Sequence, residues 1–102
     1  KEQYRILWVG FPPGNVPCSP MNPSPGLVIN FDQDRAIELN NAYIELAAEL
    51  QVSYLDILTP LLANDSYMAG LTQSDRMHCD EHGYELMAST VDAWSAWNDW
   101  FV

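Results

Sequence analysis

The segment Asp75-Arg76-Met77-His78, with Gly83-Tyr84 close behind, holds the residue types and spacing best suited to acid–base chemistry in this chain. An aspartate three residues before a histidine, at a loop-to-helix junction, can accept a hydrogen bond from one imidazole nitrogen. The other nitrogen then stays available to take a proton from a nucleophile. Asp75 and His78 are therefore the candidate catalytic residues, the acid–base half of a hydrolase site. The nucleophile half is not evident.

Three readings of Ser74 to Tyr84 stand side by side. In the first, the segment is a polar loop and helix cap: Asp80 and Glu81 complement the positive end of a helix dipole, and His78 is an ordinary surface histidine. In the second, His78-Cys79-Asp80-Glu81-His82 is an H-x-x-E-H metal motif. That chemistry needs both histidines on one helical face, a third protein ligand and the glutamate as base. Gly83 and a position at a helix start count against it. In the third, Asp75 and His78 form a hydrolase pair.

The elements that must position these groups follow from hydrophobic patterning. Arg5 to Gly10 is a short continuous apolar run closed by Gly and two prolines, which predicts a buried parallel strand. Residues 11 to about 29 carry six of the seven prolines and predict a long loop. Such a loop at the carboxyl end of a strand is either a connection or a substrate-lining segment. Asn30 or Asp32 can cap a helix running to about Gln51. Its buried stripe is expected at Ala36, Leu39, Tyr43, Leu46, Ala47 and Leu50, interrupted by Asn40 and Asn41. Val52 to Ile57 predicts a second strand. Pro60 permits a short helical turn, and a polar loop is expected from there to Ser74. Asp80 to Phe101 predicts one Trp-rich helix, for which packing against a sheet is the default role. Strand, long helix, strand is a βαβ unit, so the two strands are expected to be parallel.

With 102 residues the chain has the length of one small domain, and an apolar fraction of 48% with 12% aromatics predicts a packed body. Four Lys and Arg against fourteen Asp and Glu give a formal charge of -10, which argues against nucleic acid and anionic membrane surfaces as partners. No stretch approaches the roughly 18 apolar residues of a membrane-spanning helix. Lys1 to Arg5 lead directly into the first strand, so no signal peptide is expected within the chain. Cys18 and Cys79 lie in dissimilar contexts, and two cysteines make no disulfide framework.

The order of these features resembles the C-terminal half of the SGNH (GDSL-type) hydrolase family, over nearly the whole chain. The resemblance rests on Leu7-Trp8-Val9-Gly10-Phe11-Pro12-Pro13, on Leu39-Asn40-Asn41-Ala42-Tyr43 and on Leu46-Ala47-Ala48-Glu49-Leu50. It continues through Val52-Ser53-Tyr54-Leu55-Asp56, Asp75-x-x-His78 and Gly83-Tyr84. No single motif is strong, and the ordered set with its spacings carries the likeness. It implies an α/β fold, the C-terminal part of a three-layer α/β/α, flavodoxin-like parallel-sheet domain, and hydrolysis of a small-molecule ester without a metal or organic cofactor. It also implies that His78 activates a serine and later protonates the leaving group, with Asp75 holding the imidazole in the useful tautomer. The family usually has Gly after the aspartate and Pro after the histidine. Arg76 and Cys79 stand there instead, altering the loop without removing a catalytic group.

The family's Gly-Asp-Ser nucleophile block, its oxyanion-hole Gly and its Gly-x-Asn-Asp block have no counterpart here. Because such donors supply a large share of the rate, the chain alone is expected to be inert. Both strands read as buried and call for neighbours. Residues 1–102 are therefore expected to form a single partial domain, completed by a nucleophile-bearing N-terminal portion or by a partner chain. The competing expectation is a non-catalytic interaction module that uses the Trp-rich C-terminal helix.

Overall fold

The computed structural model describes residues 5–14, 21–29, 32–73 and 78–101. The first strand, β1 (Leu7–Val9), pairs in parallel with β4 (Ser53–Leu55), Trp8 lying opposite Tyr54. The Gly10 N–H donates to the Leu55 carbonyl at 2.9 Å and extends the ladder past the strand end. A side chain at Gly10 would run into the Tyr54 hydroxyl, so the close approach of the two strands depends on glycine there. The result is a mixed α/β structure with a two-stranded parallel sheet.

The crossover between these strands is helix α1 (Gln33–Leu50). Asp32 starts it, its carboxylate accepting from the Arg35 N–H at 3.1 Å. Gln51 ends it in the left-handed region at φ 57°. Its N–H donates to the Ala48 carbonyl and that of Val52 to the Ala47 carbonyl, a Schellman closure that turns the chain into β4. The buried face differs from the expected stripe. Ala47 and Asn40 are buried, whereas Leu39, Leu46 and Leu50 are exposed on one flank and Ile37 and Ile44 on the other. Asn40 does not interrupt the stripe; it sits at its centre. The amide is satisfied by the Tyr54 hydroxyl, which donates to it at 2.6 Å. Around this bond Trp8 packs between Tyr43 and Tyr54, with ring centroids 4.9 and 5.0 Å away, and Phe11 meets Tyr43 edge-on.

The proline-rich segment holds an antiparallel hairpin, β2 (Met21–Ser24) and β3 (Leu27–Ile29), where a plain loop was expected. Pro25-Gly26 makes the turn, with Gly26 at φ 82°. The short helical turn expected at Leu61-Leu62 is present, but residues 65–73 are helical where a polar loop was expected. After α2 (Leu58–Leu62), which carries Pro60 in its first turn where no N–H is needed, comes α3 (Asp65–Gln73). Asn64 accounts for it: its side chain accepts from the Tyr67 N–H at 3.0 Å and its carbonyl from the Met68 N–H.

The C-terminal segment is two helices, α4 (Glu81–Asp92) and α5 (Ser95–Asp99), not one. Trp94 is extended between them. The Asn98 side-chain amide donates to the Asp92 and Trp94 carbonyls at 2.7 and 3.1 Å, satisfying the groups exposed by the break. The core lies where α2, α3 and α4 meet the end of β4. Ile57, Leu61, Tyr67, Leu71 and Cys79 form it, with Leu55, Met68, Leu86 and Met87 packed against it. Each fully buried large apolar side chain there is worth about 1.5–3 kcal/mol.

Candidate functional site

His78 is exposed at a bend between α3 and α4. The next residue, Cys79, is buried in the core beside Ile57, two residues past the end of β4. Asp75, the other candidate, lies outside the described residues, as do Ser74, Arg76 and Met77.

Three local features hold the backbone that follows His78. Asp80 caps α4, its carboxylate accepting from the Gly83 N–H at 2.8 Å. The same carboxylate lies against Gly70 of α3, where an added Cβ would come within 2.7 Å of it. Cys79 is a free thiol, buried in the same core cluster as Tyr67. Burial, then the neighbouring thiol, pushes the Tyr67 phenol well above its ordinary range, so it remains a proton donor.

The two histidines of the H-x-x-E-H pattern do not share a helical face. His78 precedes α4 and His82 lies in its first turn. His82 Nε2 is instead 3.3 Å from the Ser66 hydroxyl. Among the described residues no three His, Cys, Asp or Glu side chains come together as a metal site. A serine beside a histidine suggests a nucleophile and its base, but the direction of the bonds opposes this. Ser66 donates its proton to Asn64 Oδ1 at 2.8 Å, so the imidazole is the donor in the Ser66 contact. The pair ties the start of α3 to the start of α4.

A second polar cluster, not anticipated from the sequence, lies at the carboxyl end of β4. Asp56 accepts from the Thr59 hydroxyl at 2.6 Å and from the Thr59 N–H at 3.0 Å. Burial alone would raise its carboxyl. The bonds from Thr59, from the Asn40 amide and from the Leu58 N–H outweigh this and hold it below the ordinary carboxylate value. Tyr54 is raised, first by burial and then by the Asp56 charge. The strand-ending aspartate signalled this cluster; its link to Asn40 required the α1–β4 packing. Next to the sheet an open groove of about 650 Å³ is lined by Leu55, Leu86, Thr90 and Trp94 among others.

In comparisons with known proteins, no family model, no curated protein and no solved structure matches the chain. Among the described residues no helix is long and apolar enough to cross a membrane.

Proposed function

We propose that this chain is the C-terminal part of an SGNH-type serine hydrolase domain that cleaves small-molecule esters, and that it contributes Asp75 and His78 to the catalytic triad. The observation that carries the reading is the exposed His78 one residue before a buried anchor, in a chain whose two strands pair in parallel across a helical crossover. The ordered motifs add to it. His78 takes the proton of a serine supplied by the rest of the domain or by a partner chain and returns it to the leaving alcohol. Asp75 orients the ring and stabilises the imidazolium.

The need for further strands is supported by the surfaces left open. Ile37, Leu39, Ile44, Leu46 and Leu50 of α1 are each between 39% and 51% exposed, and Ile6 beside β1 is 56% exposed. Two three-residue strands cover only the middle of the apolar arc of an 18-residue helix. A wider parallel sheet would cover its flanks.

The test is to isolate from cells whatever polypeptide or assembly carries this sequence and to treat it with a fluorophosphonate, which phosphonylates activated serines. One labelled serine outside residues 1–102 is expected, with labelling that disappears in His78→Ala. Labelling that persists in the variant would contradict the assignment. A defined assembly that takes no label would favour the interaction module, for which Phe101, 68% exposed, and its edge-on partner Trp97 are the nearest candidate surface.

A further inference from the structure

We propose that α1 is the contact surface of a symmetric dimer, packing antiparallel against α1 of a second copy of this chain. The dimer is independent of the hydrolase reading. Its basis is a row of leucines that the rest of the chain leaves uncovered. Leu39, Leu46 and Leu50 are 45%, 43% and 51% exposed. At 3.6 residues per turn they fall within about 40° of one another, and about a quarter turn from the buried Asn40 and Ala47. With the half-buried Ala36 and Tyr43 they recur in steps of three and four residues, the spacing of a helix–helix seam. A sheet lies beneath a helix and meets its buried face. A row at the side of the helix meets another helix in the same layer.

The charges select which helix. Arg35, Ala42 and Glu49 follow one another at seven-residue intervals and border the row on its solvent side. Arg35 is the one basic residue of α1. Within a single chain both charges are badly placed. Arg35 stands in the first turn, at the positive end of the helix dipole, and Glu49 in the last turn, at the negative end. An antiparallel copy reverses both. Arg35 then faces the partner's Glu49, and Glu49 faces the partner's Arg35, with Ala42 at the two-fold axis. A parallel copy brings like charges to the same level. The border is therefore self-complementary in one orientation, and the two-fold axis makes each contact twice.

The other acidic residues of α1, Asp34, Glu38 and Glu45, lie round the helix away from the row, so the negative charge of the two copies stays in water. The leucines supply the attraction, while the exposed charge pairs, worth little in energy, set the orientation. An 18-residue helix is about 27 Å long. A seam of that length is smaller than a permanent interface, which predicts a Kd in the micromolar range.

Sedimentation velocity on the intact polypeptide that carries this sequence reads the dimer. Arg35→Glu sets two carboxylates together at both ends of the seam and should weaken association by about tenfold or more, as should Glu49→Arg, which sets two cations together. Both positions are exposed, so circular dichroism stays native. An equimolar mixture of the two variants should associate to within about threefold of wild type, because every contact then joins opposite charges. Leu46→Ala shortens the row and should also weaken the dimer by about tenfold.

A wild-type polypeptide that stays monomeric at about 0.5 mM overturns the proposal and leaves the leucine row to a helix elsewhere in the protein. A dimer indifferent to Arg35→Glu overturns it as well. So does a mixture of the two charge variants that associates no more tightly than either alone.

Discussion

At Asn40 a buried amide accepts the Tyr54 hydroxyl at 2.6 Å, joining α1 to β4. Asn40→Ala removes the acceptor of the Tyr54 hydroxyl, and urea titration should show a loss of about 1–3 kcal/mol, beyond that of a surface change. Asp56 carries the pH dependence of the same cluster. Its carboxyl is lowered in the folded state, so between the folded and the unfolded value the unfolded chain binds more protons, and stability rises with pH. The contribution is complete above the ordinary value of 3.8 and is lost as pH falls through the lower, folded value. Urea midpoints measured from about pH 6 down to about pH 2.5 should fall across that window, and less steeply in Asp56→Asn. From the sequence Asn40 looked like a defect in an apolar stripe. A polar residue is compatible with a buried face when a facing element brings a partner, and that partner, Tyr54, is fourteen residues away on another element. His78 was legible as an exposed junction residue. The burial of Cys79 was not, because it depends on a core shared with Tyr67 and Leu71 from a helix that the sequence pattern concealed.

Helix ends make the second scale of prediction. Gln51 adopts a left-handed conformation that costs a non-glycine residue roughly 1 kcal/mol. Gln51→Gly should therefore stabilise the chain by about 0.5–1 kcal/mol, visible as a rise in Tm. Asp80→Ala removes the cap of α4 and should cost about 1 kcal/mol. The long helix α1 and both parallel strands were legible because capping, periodicity and apolar runs agree there. The hairpin was hidden by Pro23 within β2, since proline argues against a strand. Helix α3 was hidden by its polar surface, although Asn64 at the cap with Tyr67 and Leu71 one turn apart is a helical signature. The division of α4 from α5 is set by Asn98 reaching back across the break, which apolar spacing does not register.

At the scale of the molecule, the radius of gyration is 15.4 Å, whereas a compact domain of this length has one of about 13 Å. The extents of 45 × 26 × 24 Å describe an elongated body with a minimal sheet. The apolar flanks of α1 and the groove beside Leu55 and Trp94 remain open. These surfaces are what a parallel sheet would leave exposed if its other strands were supplied from elsewhere in the protein or assembly. On the proposed reading, two members of a catalytic triad belong to a chain that needs a complement to act. The most direct test of that claim is ester turnover by the intact cellular assembly, compared between wild type and His78→Ala at equal, verified folding. A fall in kcat of about a thousandfold or more is expected, with little change in stability because His78 is exposed. Turnover equal to wild type in the variant would contradict it.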